Sequence, residues 1–555
     1  MTQTYLDLRK LENQIIEQLV SIAKNEGEQA AIEQKVSVKQ FFGIEINFFA
    51  SEVAKVALQI AKCQMDVETA VILNKSIESL PLESTCGIVC ANALTANWEE
   101  VLPAKECNYI IGNPPFVGYS NHSSEQKEDR AKLFSKVKTV DYVACWYKKA
   151  CMYMKDNKNI HAAFVSTNSI CQVQQVNPIW QPLFAWGINI NFAHKPFIWN
   201  SQSADQAHVH VVIIGFSYGG ANKKVLFDGN TSREVENING YLAPAPNVFV
   251  EKHAKPLCNV AEMSQGFKPA DGGNLLLSTE EYDELIAKEP HVKTLIRSFS
   301  MGEEFIKGRR RYCLWLPNVT AADLKTCPTV RKRIDACRCW RGEQTKTGDA
   351  YKLKDTPHLL RKCNKFKDET YIGVPKVSSH RRHYVPLGFV DNGMIPGDKL
   401  YFISSGSLYV FGVMMSQFQN AWMRILSGRL KSDYSYSNTI VYNNFIWPGV
   451  TKDKLGVPVE QCVSVKVREN IEECAQAVLD ARALYTAQAK DAGEKVSLAD
   501  MYDPDNDFLF PKLTAAHKNL DAAVEVAYGV DFKGDEEKIV AHLFGLYAAV
   551  ASSSS

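Results

Sequence analysis

The 555-residue sequence has 63 Lys and Arg against 62 Asp and Glu, is 46% hydrophobic, and contains no apolar run of the ~18 residues needed to span a bilayer. Such values exclude a disordered or membrane-embedded chain, and the near-neutral balance argues against indiscriminate coating of nucleic acid. Fifteen cysteines, an odd number without regular spacing, and the lack of a signal peptide predict a reducing, cytoplasmic setting.

Residues 3 to 24 place Leu6, Leu8, Leu11, Ile15, Leu19 and Ile22 on a helical stripe. No glycine occurs before Gly27, so the opening strand of an α/β domain is expected to lie outside the chain. Residues 38 to 47 read as a buried strand that ends in Glu45 and in Asn47, a residue able to cap a helix over 48 to 64. A carboxylate at the end of a second strand is where a doubly wound fold holds a nucleoside ribose, which makes Glu45 a cofactor candidate. An exposed Glu at a strand end is also a common surface feature.

An apolar strand in 87 to 94 ends on Asn92, and another begins at Cys107 and runs into Asn113-Pro114-Pro115-Phe116. Two prolines cannot continue a ladder or enter a helix interior, so the strand stops at Asn113 in a stiff, extended turn. An Asn amide and an adjoining carbonyl offer acceptors to an exocyclic amine, and the aromatic residue offers a face for a planar base. At average composition the four-residue pattern arises by chance in about 1 chain in 200 of this length, although on its own it also describes a rigid loop.

Helices are expected within 124 to 155, and strands at 161 to 166, 188 to 193 and 209 to 216. The alternation describes an open, mainly parallel α/β domain with helices on both faces and ligands beyond the strand carboxyl ends. The spacing predicts domains at 1–222 and 246–450 separated by a linker at 223–245, then a helical region at 451–551 and a disordered serine tail at 552–555. Residues 305 to 365 hold 16 Lys and Arg against 5 Asp and Glu, and Lys307 to Tyr312, Arg338 to Arg341, His380 to Tyr384 and Arg429 to Tyr436 interleave cations with rings. Cations neutralise phosphates, arginine forks read guanine edges, and rings pack on bases or sugars, so the second domain reads as a DNA surface. A solvated basic face is the plainer alternative. Cys337 and Cys339 lack the second pair that a zinc finger needs, so no metal is expected.

Phe42-Gly43-Ile44-Glu45, Asn92-Ala93, Asn113 to Phe116, Asp141-Tyr142-Val143 and Ala163 to Asn168 resemble, in order and spacing, the motifs of N6-adenine DNA methyltransferases. Ile110 to Gly118, Gly373 to Ser379, Lys431 to Tyr434 and Asn443 to Phe445 extend the likeness to the single-chain type II restriction-modification family typified by MmeI. The resemblance implies a Rossmann-like S-adenosylmethionine-dependent methyltransferase sheet, an α+β target-recognition domain and a helical C-terminal segment. It implies that Asn113 and the Pro114 carbonyl accept hydrogen bonds from adenine N6, that Pro115 stiffens the turn, and that Phe116 stacks on the flipped base. Glu45 would bind the ribose of S-adenosyl-L-methionine, and Asn92 would lie near its adenine.

Family members carry a Gly-rich cofactor loop and a nuclease domain ahead of the helix with which this chain starts. An upstream half carrying both is therefore expected as a partner besides double-stranded DNA, and residues 1 to 555 alone are expected to hold the cofactor poorly. The competing reading is a catalytically incomplete DNA-binding specificity fragment. A third, methylation of RNA or protein amides, is disfavoured by the large basic-aromatic domain.

Overall fold

The computed structural model describes residues 1–26, 33–74, 87–135, 137–199, 209–221, 223–361, 363, 365–430 and 432–551. The serine tail, Asn222 and Lys431 lie outside the described residues. Two compact units divide the chain: Met1–Thr167 with Pro182–Phe197 and Val211–Asn230, and Asn168–Gln181 with Ile198–His210 and Thr231–Ser555.

In the first unit the helix Thr2–Glu26 is followed by a turn of 3-10 helix at Val38–Gln40 and by strand β1 (Phe42–Glu45). Asn47 caps the next helix, Phe48–Leu73, by accepting from Ala50 N at 3.1 Å. This helix runs past the expected end at 64 because no breaker occurs until Asn74, which closes it in the left-handed region at φ 51°. Strand β2 (Gly87–Cys90) lies parallel to β1, with Glu45 opposite Cys90. It stops just before the expected end at Asn92, whose carbonyl turns the chain by accepting from the N–H groups of Thr95 and Ala96.

Strands β3 (Tyr109–Gly112), β4 (His161–Thr167), β5 (Ile188–Trp199), β6 (Val209–Tyr218) and β7 (Lys224–Asp228) form a second sheet in the order β3-β4-β6-β5-β7. β3 and β4 are parallel, as are β5 and β7, whereas β6 runs antiparallel to β4. At its centre Tyr147, from the helix Ala144–Tyr153, packs against Phe164 and Phe216 with ring centroids 5.2 Å away in each case. The Tyr147 hydroxyl is satisfied by Ser166 Oγ at 2.7 Å, so this polar group is buried without penalty. The expected single sheet is thus present as a two-stranded and a larger piece.

In the second unit, one four-stranded sheet runs Leu276–Leu277, Tyr312–Leu314, Ile296–Ser300, Met394–Pro396, and another runs Gly388–Val390, Tyr371–Pro375, Leu400–Ser404, Met263–Gln265. Three long helices follow, Val465–Asp491, Pro511–Ala527 and Glu536–Ala551. The last is fixed by a bidentate pair between Arg424 and Glu536, at 2.8 and 2.7 Å. Arg341, in the basic-aromatic stretch read as DNA surface, is 0% exposed. Its guanidinium donates to the carbonyls of Pro269, Ala270, Leu353, Thr356 and Leu359 at 2.8 to 3.1 Å and pins two loop segments together. Arg310, Arg331 and Lys332 are exposed, and their side chains make no hydrogen bond or ion pair among the described residues.

Candidate active site

β3 delivers the Asn113 turn. Gly112 ends the strand opposite Phe164, where an added Cβ would lie 3.2 Å from the ring, tighter than most real contacts. Pro114 is buried and anchors the turn, while Asn113 and Pro115 are exposed and Phe116 is half-buried. Neither the Asn113 amide nor the Pro114 carbonyl is taken by another described residue, and the Phe116 ring pairs with no other aromatic ring among them. Two acceptors and a ring are therefore presented open on a stiff backbone.

The following loop is held from beneath. Val117 N donates to the Pro115 carbonyl at 3.1 Å, and the Val117 carbonyl accepts from Tyr142 N at 3.0 Å. Asp141 accepts from Tyr119 N at 2.9 Å. His122, 4% exposed, sets Nε2 3.3 Å from the same Val117 carbonyl and turns its ring edge-on to Tyr142. Burial holds the His122 pKa below its ordinary value against the raising pull of the Val117 carbonyl and Asp141, with nearby Arg130 and Lys127 adding to the lowering. Burial, followed by the bond to Asp129, pushes the Tyr142 phenol well up, so it stays a donor.

Glu45 and Asn92 come to the same end of the two-stranded sheet. Glu45 Oε1 accepts from Asn47 N at 2.9 Å, and its other oxygen makes no hydrogen bond among the described residues. One carboxylate oxygen is thus open among the described residues. The Asn92 side chain is committed: Oδ1 accepts from Leu94 N at 2.9 Å, and Nδ2 donates to Asp129 Oδ2 at 3.0 Å. Asn92 shapes its loop rather than offering a free amide. Sequence reasoning passed over Asp129 and His122. Asp129 sits in the helix Ser124–Phe134, whose Ser123–Gln126 capping box was the one local signal that fixed its place.

Family models give the class first: the DNA-methyltransferase domain of MmeI matches residues 1–228, its target recognition domain 244–449, and its C-terminal domain 463–553. Among solved structures, the type IIL restriction-modification enzyme MmeI, determined in complex with DNA, is 35% identical with a TM-score of 0.81 over 99% of this chain and 71% of that one. The chain belongs to the MmeI family. DNA methyltransferase A of Bacillus subtilis (strain 168) is 35% identical over 546 residues, which are 97% of this chain and 58% of that protein. The chain thus spans little more than half the length of this curated relative. Membership implies a methyl donor of the S-adenosylmethionine type. No helix among the described residues is long and apolar enough to cross a membrane.

Proposed function

We propose that residues 1 to 555 form the methyl-transferring and target-reading portion of a site-specific DNA adenine-N6 methyltransferase of a restriction-modification system. The single observation that carries this reading is the pair of open acceptors, Asn113 Oδ1 and the Pro114 carbonyl, beside an unpaired Phe116 ring on a double-proline turn. Adenine's amine lone pair is delocalised into its ring. Accepting its two hydrogens localises density on N6 and opposes the positive charge that grows there as it attacks the methyl carbon. S-adenosyl-L-methionine supplies that carbon when bound, already activated as a sulfonium. The C–S bond breaks as the N–C bond forms, and the surplus N6 proton passes to solvent.

No strong base is required of Asn113. Its part is placement and matched polarity, in which in-line positioning supplies up to about 7 to 11 kcal/mol of the barrier. A base inside a duplex is out of reach of this turn. The target must be extruded, at a cost of a few kcal/mol that Phe116 stacking helps to offset. Glu45, with its free oxygen, fits a ribose hydroxyl of the cofactor, and Asn92 sets the adjoining loop.

Arg310, Arg331 and Lys332, exposed and without a hydrogen-bond or ion-pair partner among the described residues, are cations of the 305 to 365 stretch free to meet double-stranded DNA. We assign sequence readout to the domain at 246–450, joined by the linker at 223–245 to the methyltransferase domain at 1–222 and followed by the helical region at 451–551. The other partner in this reading is the segment that carries the Gly-rich cofactor loop and nuclease, and the setting is the cytoplasm, where cellular DNA is met. The test is Asn113→Ala in the assembled enzyme: methyl transfer should be lost while DNA affinity stays within a few-fold. Equal loss of both would remove Asn113 from the chemistry.

A further inference from the structure

Away from the Asn113 turn, three metal-ligating side chains meet inside the second unit: Glu289, His291 and Cys327. One carboxylate oxygen, one ring nitrogen and the thiol sulfur lie within 4.8 Å of one another. Around a tetrahedral zinc ion, with bonds of ~2.0 to 2.3 Å, such atoms stand about 3.3 to 3.8 Å apart, so modest side-chain rotation closes the set. None of the three belongs to the Cys337 and Cys339 pair, and Cys327 stands too far along the chain from His291 to form a finger pattern.

Glu289 supplies the observation that points to a cation. Cys327 stands at the start of the helix Pro328–Gly342 without a side-chain capping bond. Glu289 Oε1 takes over that task, accepting from Thr329 N at 3.1 Å and from the Thr329 hydroxyl. The other oxygen, Oε2, is buried and accepts no hydrogen bond among the described residues. A buried carboxylate oxygen without a donor costs free energy until a cation or a proton meets it. The neighbouring Lys288 pairs with Glu284 instead. His291 Nε2 donates to the Thr326 carbonyl at 2.8 Å, since a carbonyl only accepts, and the neutral ring therefore keeps its lone pair on Nδ1. A carbonyl behind the ring is the usual support of a metal-bound imidazole. Cys327, 2% exposed, sets its sulfur 3.7 Å from Thr326 Oγ1.

We infer that Glu289, His291 and Cys327 bind one Zn²⁺ ion, with water in the fourth position. Thiolate and imidazole select zinc over magnesium or calcium, which take oxygen ligands, and the hard carboxylate disfavours Cu(I). The thiol gives its proton to solvent as the metal binds. The ion ties the turn Pro290–Leu295 to the first turn of the helix Pro328–Gly342, which carries Arg331 and Lys332. This staple lies within the second unit and does not depend on the methyl-transfer reading.

The experiment strips residues 1 to 555 of metal with a chelator under reducing conditions, then titrates the chain with zinc chloride by calorimetry and with cobalt chloride by absorption. Zinc should bind one to one with a Kd of about 1 µM or tighter and raise the midpoint of thermal unfolding. Cobalt should give a thiolate-to-metal charge-transfer band. Cys327→Ser should abolish that band, and Glu289→Gln, which keeps an acceptor for Thr329, should weaken zinc binding at least tenfold. Cys327 is buried and its variant can fail to fold; His291→Ala, at an exposed position, should likewise weaken zinc at least tenfold and remove its effect on unfolding. Cys339→Ser, exposed and outside the set, should change neither band nor affinity. No zinc uptake at micromolar concentration, a cobalt band that survives Cys327→Ser, or zinc affinity indifferent to His291→Ala overturns the inference.

Discussion

Tyr142 and Asp129 meet in a buried hydrogen bond of 2.8 Å, and the carboxylate oxygen that accepts it also accepts from Asn92 at 3.0 Å. One oxygen thereby couples Asn92, in the loop after β2, to Tyr142, whose backbone N–H holds the Val117 carbonyl just past the Asn113 turn. A single buried acceptor serving two donors is costly to leave half-satisfied. Tyr142→Phe keeps the ring against Trp146 and His122 and removes only the hydroxyl. It should lower unfolding stability by about 1 to 3 kcal/mol, read as a fall in denaturant midpoint at unchanged m-value. No shift in midpoint would show that the bond is idle.

His122 gives the loop a pH dependence. Its pKa is held below the ordinary value by burial, so the unfolded chain takes up a proton before the folded one does. The sign follows: stability is fully present above the unfolded value, about 6.5, and is lost as pH falls below it toward the folded pKa. Chemical denaturation between pH 7.5 and 5 should show this decline, and His122→Asn should flatten it.

Asp521 acts with the opposite sign in the second unit. Burial pushes its pKa up to about 6, against the lowering effect of bonds from the Tyr384 hydroxyl at 2.5 Å and Gln417 N at 2.7 Å. Stability from this group is largest below the unfolded value near 3.9, declines as pH rises to about 6, and is level above; the whole span is about 3 kcal/mol. Asp521→Asn should remove this slope, and a slope that survives it would place the titration elsewhere.

The two kinds of arginine should separate. Arg341→Met strips five carbonyls of their donor and should destabilise the second unit by several kcal/mol, lowering the yield of folded protein. Arg310→Ala and Arg331→Ala should leave melting unchanged. A phosphate contact shows as uniformly weaker DNA binding with a salt slope lower by about 1, a base contact as relaxed specificity worth about 1 to 3 kcal/mol at one position. DNA affinity untouched by both exposed substitutions would remove this face from the interface.

What could be read from the sequence was local. The stripe of Leu11, Ile15 and Leu19 announced a helix, and Asn47 its successor's cap, because periodicity and capping act within a few residues. Pro114 and Pro115 fixed the turn for the same reason. Asp129 was invisible because a helical carboxylate is usually solvated, and only the approach of Tyr142 and Asn92 makes it a hub. Arg341 misled in the other direction: cation beside ring describes a DNA surface and a buried clamp equally well. The division of the sheet at β1 and β3 depends on which strands become neighbours, which no single stretch encodes.

The central claim is that the Asn113 turn delivers a methyl group to adenine N6. Its most direct test is to supply the assembled enzyme with S-adenosyl-L-methionine labelled in the methyl group, incubate it with mixed-sequence duplex DNA, digest the product and identify the labelled nucleoside. The account predicts label in N6-methyl-2′-deoxyadenosine alone, and none with Asn113→Ala. Label in a methylated cytosine, or undiminished label with the substituted enzyme, would contradict it.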